Sequence, residues 1–125
     1  MNNRGNAFRE TSYEPSALIR WRLNLGVRRM KVYIAGPMTG LPDYNYPAFF
    51  RAAEVIRALG DEPLNPAEGM IDLHQPWAWC MRRALRLLLD ADAVAMLPGW
   101  QSSRGARLEY VIAQQLGMPV IELDE

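Results

Sequence analysis

The feature that most constrains the fold is a regular alternation, from Met30 onward, of short apolar segments and longer stretches with helical periodicity. The short segments predict strands at 31–35, 62–65, 92–97 and 118–123, and the longer stretches predict helices at 46–59, 76–90 and 104–116. Parallel strands need crossover connections, and helices supply them. The pattern therefore predicts a small doubly wound α/β domain over residues 30–125, with a parallel sheet covered by helices on both faces.

In sheets of this kind, ligands bind beyond the carboxyl ends of the strands, where the strand order reverses. Two irregular stretches that contain glycine follow the first and third predicted strands, and both are expected on this edge. The second of them is the loop 98–103. The first is the turn formed by Gly36, Pro37, Met38, Thr39 and Gly40. We therefore expect this turn to contact a substrate.

Composition narrows the class of protein. Half of the 125 residues are hydrophobic, which excludes a disordered or collagen-like chain. Cys80 and His74 are the sole residues of their types, so neither a disulfide framework nor a cysteine- or histidine-rich metal site is expected, and no cofactor is predicted. The sequence contains neither a membrane-length apolar run nor a signal peptide, so a cytoplasmic protein without a membrane partner is expected.

Residues 1–29 differ from the rest of the chain in charge. They contain six arginines against two glutamates, a net charge of +4 that the remaining residues balance. A body with an acidic balance argues against a nucleic-acid partner. Residues 1–29 are predicted to be a partly flexible basic extension, in which 19–28 alternate as a strand does. That strand would be a sheet edge or a contact between interacting chains; alternatively, Met30 is the original first residue and the extension has little structural role.

Glu109 is the strongest catalytic candidate. It lies on an otherwise apolar predicted helix, and a helical side chain leans toward the positions three and four residues earlier, here Ala106 and Gly105. A glycine inside a helix costs about 1 kcal/mol relative to alanine. Open space above the carboxylate, sufficient for a sugar ring, would explain this glycine. The alternative is a solvated glutamate paired with Arg104 or Arg107.

The start of the same helix suits an anion. Ser102, Ser103 and Arg104 lie where backbone N–H groups point outward, although serines at this position are more often simple helix caps. The turn 36–40 is neither a Walker loop nor a dinucleotide-binding loop. Trp100 is placed to stack on a flat base, with packing inside its loop as the alternative.

Four further residues lie at the starts of two predicted helices, 46–59 and 76–90. Tyr44 and Tyr46 are also placed to stack on a base, with packing inside their loop as the alternative. Asn45 is a predicted N-cap, and Trp77 lies on an apolar helical stripe and is predicted to be core.

Taken together, several motifs resemble those of the nucleoside 2-deoxyribosyltransferase-like superfamily, especially a short phage and bacterial group of unassigned function within it. The similarity covers about residues 30–123. The motifs are KVYIAGPMTG at 31–40, NYPAF at 45–49, NPAE at 65–68 and LPGWQSSRGARLEYVIAQQLGMPVIEL at 97–123.

The resemblance implies a flavodoxin-like (Rossmann-like) fold and cleavage of an N-glycosidic bond by a glutamate nucleophile at Glu109. Ser103 stands where the transferases have an aspartate for the sugar and the nucleotide-hydrolysing branch has a serine for the 5′-phosphate. With a serine at this position, the resemblance implies a nucleoside 5′-monophosphate N-glycosidase, with a deoxyribosyltransferase as the alternative. It also implies a homodimer or a larger homo-oligomer, because the superfamily is typically oligomeric.

One position departs from the superfamily. Ala84 replaces an acid that helps to bind the sugar or to protonate the leaving base. Loss of general acid catalysis costs roughly 10²–10⁴-fold in rate. Three expectations remain: Asp43, Asp72 or His74 compensates; the leaving base is activated; or the protein binds nucleotides with little turnover.

Overall fold

The computed structural model describes residues 15–24, 28–69 and 75–123. The strands and helices predicted from residue 30 onward are confirmed, with ends that differ by one or two residues. The strands are β1 Lys31–Ala35, β2 Glu62–Leu64, β3 Ala93–Met96 and β4 Val120–Glu122. The helices are α1 Pro15–Asn24, α2 Tyr46–Ala58, α3 Trp77–Leu89 and α4 Arg104–Gln115. None of these helices is long and apolar enough to cross a membrane.

The four strands form one parallel sheet in the order β2-β1-β3-β4, which confirms the doubly wound α/β prediction. From β1 the chain passes through α2 to β2, on one side of β1. It then returns through α3 to β3 on the other side and continues through α4 to β4. Because crossovers of parallel strands are right-handed, this reversal of direction places α2 on one face of the sheet and α3 and α4 on the other.

Each face of the sheet has its own hydrophobic core. Alternate residues of β1 point to opposite faces, as strand geometry requires. Ile34 packs with Phe49 of α2, whereas Tyr33 packs with Leu88 of α3 and Ala113 of α4. These side chains are almost completely buried, so both helical layers are fixed on the sheet.

The strand order reverses between β1 and β3, whose carboxyl ends lie side by side. Ala35 is opposite Met96, and the N–H of Leu97 donates to the carbonyl of Ala35 at 2.7 Å. A Cβ on Gly36 would lie 2.8 Å from the Cβ of Leu97, so the chain leaves β1 at a point where no side chain fits. The turns after β1 and β3 therefore begin at the same edge of the sheet, as predicted.

The strand predicted over residues 19–28 is wrong for its described part, because α1 is a helix. On a strand, residues spaced by two share one face, but every second one of these, spaced by four, also shares a face of a helix. The alternation of Ile19–Val27 therefore did not separate the two structures. Side chains of α1 contact the body: Leu18 lies in the core beside α2, Trp21 packs against the same core, and Arg22 forms a buried ion pair with Asp61. Residues 25–27 lie outside the described ranges.

We predict that Leu18→Ala lowers the free energy of unfolding by about 2–5 kcal/mol, because Leu18 is 1% exposed and the truncation leaves a cavity. Leu23 lies in the same helix and is 71% exposed, so Leu23→Ala is the matched control and should change stability by less than about 0.5 kcal/mol. Urea unfolding followed by circular dichroism measures both. Equal effects of the two variants would show that α1 does not pack on the body.

Candidate functional site

Glu109 of α4 is a buried carboxyl whose hydrogen-bond partner among the described residues is Tyr33 of β1. Glu109 is 4% exposed, and the Tyr33 hydroxyl donates a hydrogen bond to its Oε2. Burial raises the pKa of Glu109 to about 7, and the hydrogen bond from Tyr33 opposes this shift. The alternative of a solvated glutamate is therefore wrong. Near neutral pH, the carboxyl is divided between its protonated and ionised forms.

Tyr33 itself is completely buried, which raises the pKa of its hydroxyl well above the usual value, and the charge of Glu109 adds to this effect. The hydroxyl therefore stays protonated and can only donate to the carboxylate. Sequence reasoning missed Tyr33. The available signal was a tyrosine in the middle of a buried strand, since a buried phenolic hydroxyl generally needs a hydrogen-bond partner.

Two connected cavities lie at this edge of the sheet. The inner cavity, of about 120 Å³, is lined by Glu109 and Tyr33 together with Arg83 and Ala84 of α3. The outer cleft, of about 990 Å³, is lined by the turn after β1, the loop after β3 and the start of α4. The residues that line both are Met38, Thr39, Trp77, Ser103 and Gly105. These shared residues make the outer cleft and the inner cavity one continuous site.

Most of the predicted binding residues border this site. Gly36 lines the inner cavity. Those that line the outer cleft are Pro37, Met38, Thr39, Ser102, Ser103, Arg104 and Gly105. Gly40 lines neither cavity; its φ of +83° is a backbone conformation that glycine adopts without strain, so it shapes the turn.

Trp100 does not occupy its predicted position. It is buried, it stacks on Tyr110 with ring centroids 4.4 Å apart, and it lines neither cavity. The chain turns into a short 3₁₀ helix at Trp100–Ser102, which directs the indole into the core beside α4. The alternative of packing inside the loop therefore describes this residue.

One of the two serines caps the start of α4. Ser103 Oγ accepts a hydrogen bond from the N–H of Ala106 at 3.2 Å, whereas Ser102 Oγ donates to the carbonyl of Gly99 at 3.0 Å, in the loop before the helix. The capping interpretation is thus correct for Ser103, and both serines line the outer cleft. The positive end of the α4 dipole therefore borders this cleft.

Trp77 is not the core residue that its helical stripe predicts. Because it is the first residue of α3, it extends past the edge of the core and remains 38% exposed between the two cavities. The guanidinium carbon of Arg104 lies 3.6 Å from the centroid of its ring, a cation–π contact. This contact places the positive charge of Arg104 at the mouth of the inner cavity.

The segment before α2 forms another wall of the outer cleft. Asp43, Tyr44 and Asn45 have φ of 51°, 54° and 61°, and the side-chain amide of Asn45 donates to the carbonyl of Pro37 at 3.0 Å. Asn45 precedes the helix as predicted, but its side chain holds the turn after β1 and does not cap α2.

Of the proposed compensating acids, Asp43 lines the outer cleft, whereas Asp72 and His74 lie outside the described residues. Tyr44 and Tyr46 contact each other, with ring centroids 6.0 Å apart, and line neither cavity.

A family model described as a domain of unknown function, DUF4406, matches residues 30–122. No curated protein matches the chain. The matched range contains all four strands, the helices α2 to α4 and every residue of the two cavities.

The raised pKa of Glu109 predicts that the protein loses stability as the pH rises. The folded state holds the proton up to about pH 7, whereas an unfolded glutamate releases it near its ordinary value of 4.5. The free energy of unfolding should therefore fall by about 3 kcal/mol between pH 5 and pH 8. Glu109→Gln should lack this fall in urea unfolding, whereas the exposed control Glu122→Gln should retain it. The same pH dependence in wild type and Glu109→Gln would show that Glu109 is not the group responsible for the loss of stability.

Proposed function

The chain belongs to the DUF4406 family, whose description assigns no activity, and from the geometry of its site we propose that it is an N-glycosidase acting on (deoxy)nucleoside 5′-monophosphates. One observation carries the proposal. A buried carboxyl with a raised pKa, Glu109, faces an inner cavity that opens into a cleft suited to an anion. A perturbed acid in a cleft is typical of a catalytic site.

The dimensions of α4 fit a bound nucleotide. Ser103 precedes Glu109 by six residues, a rise of about 9 Å along the helix axis, and the glutamate side chain leans back toward the helix start. A 5′-phosphate at the N-terminus of α4 would then place the sugar over Gly105 and its anomeric carbon near the carboxyl. The base would enter the inner cavity.

The groups around the outer cleft favour a phosphate. The N-terminus of α4 carries a partial positive charge, and the guanidinium of Arg104 borders the same space. Ser103 has no charge and does not repel an anion. These three features favour binding of a nucleotide, which carries a phosphate, over binding of a free nucleoside, which does not.

In the proposed reaction, ionised Glu109 attacks the anomeric carbon, and a bond forms between a carboxylate oxygen and that carbon. The bond between the carbon and the base nitrogen breaks, and its electron pair leaves with the base. Water then hydrolyses the glycosyl ester, which releases the sugar phosphate and restores the carboxyl. Because Tyr33 donates to Oε2, it orients the carboxylate and leaves Oε1 for the attack.

A second function is nucleotide binding with little turnover. Among the described residues of the inner cavity, Glu109 is the sole carboxylic acid, so no second carboxyl is present to protonate the leaving base. Tight nucleotide binding without release of base would identify this function.

We predict that the protein releases free base from a nucleoside 5′-monophosphate and that Glu109→Gln abolishes this release, because an amide is not a nucleophile here. The rate should rise with pH toward a plateau above about 7, as Glu109 ionises. Chromatography of a panel of ribo- and deoxyribonucleotides measures the product, and the exposed variant Glu122→Gln is the control. Base release that Glu109→Gln leaves unchanged, or none from any nucleotide, would refute the proposal.

We also predict that Arg104→Ala weakens the binding of 5′-monophosphates about tenfold or more and barely changes that of free nucleosides, since a charged hydrogen bond contributes about 1.5–3 kcal/mol. Arg107 lies on the same helix, is exposed and contacts the carbonyl of Gln101, so Arg107→Ala is the charge-matched control. Titration calorimetry measures both ligands. Equal losses for Arg104→Ala and Arg107→Ala would place the phosphate elsewhere.

A further inference from the structure

The inner cavity contains a fixed cation, Arg83, in addition to the Glu109 carboxyl. The guanidinium of Arg83 donates to the carbonyl of Pro66 at 2.9 Å and to that of Glu68 at 2.7 Å. A guanidinium has five N–H donors, so these bonds fix its position and leave donors for a ligand. Within the described ranges, no carboxylate forms an ion pair with Arg83.

Arg83 does not serve as the counter-ion of Glu109. A neighbouring cation would lower the pKa of this carboxyl, whereas burial raises it to about 7. The positive charge of Arg83 does lower the pKa values of Tyr33 and Tyr46, against the larger effect of burial on both. The positive charge of Arg83 therefore acts on groups around the inner cavity, and it is not paired with the carboxyl of Glu109.

The described lining of this cavity offers no acid that is free to protonate a departing base. The Tyr33 hydroxyl is committed to Glu109, and the Cys80 thiol is directed at the carbonyl of Gln75, with sulfur and oxygen 3.8 Å apart. A guanidinium remains protonated under ordinary conditions and does not transfer its proton. Against this described lining a base leaves as an anion, and Arg83 is the lining residue whose charge stabilises one.

The size of the cavity narrows the choice of base. Its volume is about 120 Å³, and an apolar cavity of about 150 Å³ holds one benzene molecule. The two volumes are of the same order, so the inner cavity matches one six-membered ring that reaches into its opening, whereas a bicyclic purine would extend further into the outer cleft.

Building on the proposed N-glycosidase activity, we infer that the preferred substrate carries a uracil-type pyrimidine, which leaves as an anion stabilised by Arg83. Attack by Glu109 breaks the bond between the anomeric carbon and the ring nitrogen, and the electron pair spreads from that nitrogen onto the two keto oxygens. Arg83 donates hydrogen bonds to this charge, and the free anion then takes a proton from water. Cytosine stabilises the negative charge less well, so it is a poorer leaving group, and adenine is a bicyclic base that extends beyond the inner cavity.

The test compares the release of base from dUMP, 5-fluoro-dUMP, dCMP and dAMP by wild type, Arg83→Ala, Arg83→Lys and Arg82→Ala. Wild type should release uracil at least about tenfold faster than cytosine or adenine. Removing one preorganised donor to a developing anion costs on the order of 10²-fold, so Arg83→Ala should lose about that factor on dUMP. It should lose much less on 5-fluoro-dUMP, whose base is already a good leaving group. Arg83→Lys should recover part of the loss, and Arg82→Ala, a change at an exposed position, should match wild type.

The leaving-group dependence separates this role from a structural one. A variant that merely distorts the fold loses the same factor on dUMP and 5-fluoro-dUMP, and that result would overturn the inference. Adenine released as fast as uracil would also overturn it. Either result leaves the N-glycosidase proposal standing, provided that Glu109→Gln abolishes release. No release from any nucleotide would overturn both.

Discussion

The rest of the structure depends on the in-register parallel pairing of β1 with β3. This pair places Ala35 beside Met96, and the chain continues outward from it in both directions, to β2 on one side and to β4 on the other. Because the crossover connections are all right-handed, the helices lie on opposite faces of the sheet, and the turns that follow β1 and β3 diverge beyond its edge. The cleft between them is a consequence of the strand order. The close approach of Leu97 to Gly36 shows how little room the pairing leaves at this point.

The helix α4 serves the proposed site twice. Its N-terminus borders the outer cleft, and about one and a half turns later the same helix places Glu109 against Tyr33 beneath that cleft. A buried carboxyl destabilises the folded state once it ionises, so this residue costs the protein stability at neutral pH. Proteins tolerate such costs where activity requires them. The burial that lowers stability also supplies the shielded nucleophile that the proposed reaction needs.

The sequence was sufficient to predict the elements that follow one periodicity. Apolar runs or stripes mark β1, β3, β4 and the helices α2, α3 and α4, and an acid on an apolar helix indicated Glu109. Alternation misled for α1, since a spacing of four residues fits a helix face as well as a strand face. The positions of Trp77 and Trp100 depend on where each element ends relative to the core. Arg83 lines the inner cavity because of the way in which α3 packs on the sheet, and no local sequence pattern encodes that packing.

Asp61 joins α1 to the start of β1. Its Oδ1 accepts hydrogen bonds from the guanidinium of Arg22 and, at 3.0 Å, from the backbone N–H of Met30. In a polypeptide whose first residue is Met30, that nitrogen would be an ammonium group already in contact with the carboxylate. That ammonium group would supply Asp61 with a cation in place of the Arg22 guanidinium. What the shorter chain would lack is the apolar cover of Leu18 over α2.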